Sequence, residues 1–128
     1  MKIKTVVTIK QVLTEQSKYE LEQTFIERKM QLEKEVEQLR FEKKKMEKSR
    51  KYDSSQIQQY FLKEINVRIE RINLLKFQLE QLHILPLGTE LVERETEGMI
   101  DVQIGDNWNE IKLGKTIIVK DGIIIDIR

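Results

Sequence analysis

Six cations crowd one short stretch of this chain: Lys43, Lys44, Lys45, Lys48, Arg50 and Lys51, with two acidic residues among them between positions 42 and 52. Side chains of this type neutralise phosphates, each displacing roughly one counterion condensed on a nucleic-acid backbone. RNA or an acidic protein surface is the partner they suit. The same run also suits the solvated last turn of a helix, whose C-terminal carbonyls favour positive charge. Tyr52 is the aromatic that the run carries for stacking on a base, too little for sequence reading of a single strand.

Other reactive residue types are sparse. There is one histidine, His83, and no cysteine, so thiol catalysis, disulfides and cysteine metal sites are closed, and a lone histidine without clustered carboxylates makes a poor metal centre. Glu90, Glu93, Glu95, Glu97 and Asp101 have the spacing of alternating strands, not that of a calcium loop. Gly105-Asp106-Asn107-Trp108 reads as a turn beside a buried or half-buried aromatic and lacks the spacing of a phosphate loop. A hairpin tip that held a metal would need acidic residues, and Asp53 stands alone among cations. No nucleophile, base and orienting group can be assembled, so neither an enzyme, a cofactor nor a small-molecule substrate is expected.

These residues need elements to position them, and the apolar periodicity supplies two long helices. Phe25, Leu32, Leu39 and Met46 recur every seven residues with Val36 between them, while Phe61, Ile65, Ile72, Leu75, Leu79 and Leu82 alternate at threes and fours. Such spacing lays each set along one stripe of a helix. If the helices fold back antiparallel, facing residues have numbers with a near-constant sum. Phe25 with Leu82, Leu32 with Leu75, Val36 with Ile72 and Met46 with Phe61 all sum to 107 or 108. The spacing therefore predicts a coiled-coil hairpin over 14–85 with its tip near 52–55. Thr14 or Ser17 caps the first helix, Ser17 and Glu20 fitting a capping box, and Pro86 ends the second. Lys29 and Lys43 fall on the seam, where their stems can cover Leu79 and Ile65.

On either side the period changes to two. Residues 2 to 12 read as a strand with Ile3, Val7 and Ile9 on one face and Lys2, Lys4, Thr8 and Lys10 on the other. Glu90 to Arg94 and Ile100 to Ile104 read as two more. Asp121-Gly122 between Lys115–Lys120 and Ile123–Arg128 is a strong hairpin signal, since both turn residues tolerate positive φ. That last hairpin is apolar on both faces and is expected to be covered. The fold class is α+β: a long antiparallel two-helix coiled-coil hairpin inserted after the first strand of a small antiparallel β domain, barrel or sandwich-like, formed by 1–13 and 86–128.

A second apolar row lies on the back of the second helix, made by Tyr60, Val67 and Leu74 at sevens with Phe77 and Ile84 beside them. The seam cannot bury them, and an apolar stripe left on a solvent face marks a partner: a second copy, giving a homo-oligomer, or another protein.

Charge is balanced overall at +1, with 23 basic and 22 acidic residues, which argues against a whole-surface affinity for nucleic acid or membrane. Its distribution is uneven. Residues 86–114 carry two basic and seven acidic side chains, an acidic counterpart to the basic tip. No apolar run approaches a membrane span, and a cytoplasmic location is expected.

Val6 to Glu15 (Val-Thr-Ile-Lys-Gln-Val-Leu-Thr-Glu from Val7 on), Lys44 to Lys48, Leu85-Pro86-Leu87-Gly88 with Glu90-Leu91, Ile104-Gly105-Asp106 with Trp108, and Thr116 to Gly122 together resemble the YlqD family of Gram-positive bacteria. The likeness spans nearly the whole chain and brings no catalytic or binding residue with it. Members tend to be encoded beside genes for ribosomal proteins, a small RNA-binding protein and ribosome maturation factors. The resemblance therefore implies a role near ribosomal RNA or ribosome assembly factors. Two functions are expected to compete: a non-enzymatic interaction protein acting through its helical arm, and a chaperone-like holdase that meets unfolded chains with exposed apolar stripes.

Overall fold

The computed structural model describes residues 1–49 and 54–128. In order, its elements are β1 (Lys2–Val12), α1 (Glu15–Ser49), α2 (Ser54–Ile84), β2 (Glu90–Asp101), α3 (Trp108–Ile111), β3 (Lys115–Lys120) and β4 (Ile123–Ile127). The class is α+β, and the helical pair is inserted after the first strand. Two compact units result, one formed by Met1–Lys18 with Leu85–Arg128 and the other by Tyr19–Ile84.

In the helical unit the seam is real. Val36, Ile57, Phe61, Ile65 and Ile72 are buried in one cluster, with Leu32, Leu39, Met46 and Ile69 packed against it; Leu75 and Leu82 are buried as well. Lys29, on the seam, is largely covered and pairs with Glu33 at 3.3 Å. One charge interrupts the stripe of α2. Arg68 sits where a leucine would complete the heptads, its Nη1 donating to Glu64 at 2.9 Å and its Nε 3.8 Å from Glu35 on the other helix.

The start of α1 is fixed by a reciprocal pair of hydrogen bonds. Thr14 N–H donates to Ser17 Oγ (2.9 Å) and Ser17 N–H donates to Thr14 Oγ1 (3.1 Å). The capping box is thus Thr14 with Ser17, one turn earlier than the expected Ser17 with Glu20. α2 ends at Ile84, two residues before the proline. Gly88 N–H then donates to the Leu13 carbonyl at 2.7 Å and Leu13 N–H to that of Thr89 at 2.8 Å, which brings the chain back beside β1.

The sheet has the order β2-β1-β3-β4. β1 pairs antiparallel with β2 along its length and parallel with β3, which pairs antiparallel with β4. A barrel or sandwich with antiparallel pairing throughout was expected; the described strands instead form one open sheet, and β1 pairs parallel with β3. β2 ends opposite Lys2, at the end of the sheet where β1 begins, so a strand entering on the other side of β1 from that end runs parallel to it. Gly114 lets β3 enter. Its φ is +81°, and a Cβ there would collide with the carbonyl oxygen of Val6.

Three local expectations are corrected. Glu90 to Asp101 is one continuous strand, because β1 offers an unbroken partner. It stops before Val102, Gln103 and Ile104, where Asp106 closes a turn by accepting from Gln103 N–H at 2.8 Å; Ile104 is fully exposed. Trp108 opens the short α3 and is 63% exposed, not buried. The β3–β4 hairpin has the expected turn, with φ of +46° at Asp121 and +80° at Gly122, yet β4 is an outer strand and its isoleucines are exposed.

Candidate interaction surfaces

Near the end of α1 the lysines divide by heptad position. Lys43 lies on the seam and is half-buried, whereas Lys44, Lys45 and Lys48 are exposed on the outward arc of the same helix. Among the described residues none of these four has a carboxylate within 4 Å. They form a patch that can meet a polyanion without first breaking ion pairs, at the cost only of ordering long side chains. Arg50 and Lys51, and Tyr52 and Asp53 of the expected tip, lie outside the described residues.

On the back of α2 the residues of the second apolar row lie at or near the surface. Tyr60, Leu74 and Phe77 are more than half exposed, Ile84 is 73% exposed and Val67 is half-buried. Tyr60 is braced edge-on against the seam residue Phe61, the ring centroids 5.2 Å apart. Leu74 borders a shallow groove between the helices with Arg28, Gln31, Leu32, Arg71 and Gln78. A row of apolar groups with polar margins can bind protein.

Sequence reasoning passed over a second set on α1. Tyr19, Met30 and Phe41 are at least half exposed and recur every eleven residues. Eleven residues make close to three turns of an α-helix, so these three drift only slowly around it. A search restricted to sevens could not find them.

Several other polar groups are engaged in holding the fold. His83 Nε2 lies 3.7 Å from Glu22. Asp106 closes its turn, and Asn107 Oδ1 caps α3 by accepting from Asn109 and Glu110 N–H. Thr14 Oγ1 donates to Asp121 at 2.7 Å, tying the β3–β4 turn to the start of α1. Arg128 forks onto Glu90 at 2.7 and 2.9 Å. That fork holds the Glu90 carboxyl below its ordinary range. Among the described residues no three of His, Cys, Asp or Glu gather as a metal site would require, and no helix is long and apolar enough to cross a membrane.

Comparison with known proteins adds a family and a fold. A family model described as YlqD protein matches residues 1–128. The chain is 43% identical over 122 residues to the uncharacterized protein YlqD of Bacillus subtilis (strain 168), covering 95% of this chain and 94% of that one. A crystal structure of a protein of unknown function from Synechococcus sp. WH 8102 is similar with a TM-score of 0.85 at 22% identity, covering 100% of this chain and 96% of that one. That likeness is one of fold.

Proposed function

The chain belongs to the YlqD family, and we propose that it is a non-enzymatic interaction protein whose helical arm presents a cationic patch to RNA. The observation that carries this is the outward arc of Lys44, Lys45 and Lys48, exposed together and unpaired among the described residues. Lysines so placed bind as point charges along a phosphate backbone, without base selectivity. A structured RNA such as ribosomal RNA fits that chemistry.

A mobility-shift titration over a salt series tests it. The parent chain should bind ribosomal RNA fragments with an affinity that falls as salt rises, by about 0.7–0.9 in log–log slope per phosphate neutralised. Lys44→Glu, Lys45→Glu and Lys48→Glu together should weaken binding at least about tenfold at low salt and flatten that slope by roughly two. If the triple variant binds as well as the parent does, the RNA reading is wrong. Binding only to an acidic protein would replace it with a protein partner.

The exposed apolar row on α2 favours a second reading, the holdase. That activity would appear as suppressed aggregation of a heat-unfolded client, lost when Val67 and Leu74 are made glutamate. The same change yields monomers with no effect on a client if the row is a seam between copies.

A further inference from the structure

We infer that the back of α2 is a homodimer seam, in which two copies lie antiparallel about a two-fold axis at the level of Ile72. The row is self-complementary. In an antiparallel pair of identical helices, facing residues have numbers with a constant sum, and Tyr60 with Ile84 and Val67 with Phe77 both sum to 144. In that register Leu74 meets the aliphatic stem of Glu70 from the second copy. The two polar residues left on the same line, Lys63 and Gln81, face each other.

The charges agree with the contacts. Lys63 comes beside Glu80 of the second copy, and Glu70 beside the amide of Asn73, both pairings summing to 143. Glu64 with Glu80 and Arg68 with Lys76 also sum to 144, but Arg68 is turned toward the hairpin seam, paired with Glu64 and close to Glu35 of α1. Among the described residues neither Lys63, Glu70 nor Glu80 has an ion pair within 4 Å in its own chain, so the seam requires no existing salt bridge to break. A point-group dimer of this kind uses one patch on both copies and closes on itself. It also accounts for the length of the row, which follows the back of α2 over about 36 Å. RNA binding at Lys44, Lys45 and Lys48 lies on the other helix, and each property can fail without the other.

Sedimentation velocity of the full chain between about 5 and 500 µM is the first test, with a monomer–dimer equilibrium of Kd on the order of 10 µM expected. Leu74→Glu should leave the helical circular dichroism intact and give monomer throughout. Because the chain has no cysteine, disulfide mapping fixes the register. A chain carrying both Val67→Cys and Phe77→Cys should cross-link to a dimer on oxidation. Val67→Cys alone should not, since its copies stand about 15 Å apart along the axis, beyond the roughly 7 Å that a disulfide spans. Lys63→Glu should raise Kd about fivefold, and adding Glu80→Lys should restore it. A parent that stays monomeric at 500 µM, a dimer that survives Leu74→Glu, or cross-linking by Val67→Cys alone as fast as by the pair overturns the inference.

Discussion

The helical hairpin and the sheet unit are both rich in branched apolar side chains, yet they use them in opposite ways. In the hairpin the apolar residues keep to one phase of the helix, and the seam buries Val36, Phe61, Ile65, Ile72 and their neighbours in one cluster. In the sheet unit only Leu13 and Ile118 among the described residues are fully covered, while Ile123, Ile124, Ile125 and Ile127 stand more than half exposed. Composition does not separate the two. Phase does: a heptad stripe needs one facing stripe to be buried, whereas three consecutive isoleucines on an outer strand point to both faces and cannot be covered by one layer.

The comparison breaks most sharply at the seam. Phe61 is 5% exposed, and Phe61→Ala removes a ring from a packed cluster that can only partly collapse into the space. A loss of about 3–5 kcal/mol of stability is expected, read from urea unfolding followed by helical circular dichroism. A loss below about 1 kcal/mol would mean that the seam is loosely packed and that the hairpin owes its stability elsewhere.

Within the sheet unit, two isoleucines of adjacent strands sharpen the contrast. Ile118 is 1% exposed and Ile125 is 54% exposed, so Ile118→Ala should cost about 2–4 kcal/mol and Ile125→Ala less than about 1 kcal/mol. The measurement is hydrogen exchange at the β3 and β1 amides, which reports the sheet unit apart from the helices. Equal costs at the two positions would show that β4 is covered in solution by a partner.

How much of this was legible in the sequence follows the same division. The two long helices and the apolar seam were readable because each rests on periodicity within one or two segments. Asp121-Gly122 was readable because its turn needs positive φ at both positions. The parallel pairing of β1 with β3 was not, since strand order is decided by where β2 stops, which no local pattern records. The exposure of Trp108 and Ile104 was missed for a related reason: a large apolar side chain is expected inside, and only the turn closed by Asp106 takes these residues off the strand. For the candidate surfaces, the lysines were visible as a run in the sequence, the exposure of the row on α2 followed from phase, and Tyr19, Met30 and Phe41 escaped because their period is eleven.

The smallest effect concerns what holds a sheet with so little core. Arg128, just beyond β4, forks onto Glu90 of β2, joining the two outer strands, which share no backbone pairing. Arg128 also bonds Asp126 at 3.0 Å. The guanidinium holds the Glu90 carboxyl below its ordinary pKa of 4.5, and Arg128 itself stays charged throughout. A carboxyl with a depressed folded pKa adds stability that is fully present above its unfolded value and lost as pH falls through the folded one. The difference in melting temperature between the parent and Glu90→Gln should therefore be constant from pH 7 to about 5 and close below about 4.5. High salt should shrink it at neutral pH, because the pair is solvent-exposed. If the difference instead persists unchanged to pH 3, the fork acts through geometry and neutral hydrogen bonds alone, and charge does no part of the work of keeping β2 and β4 together.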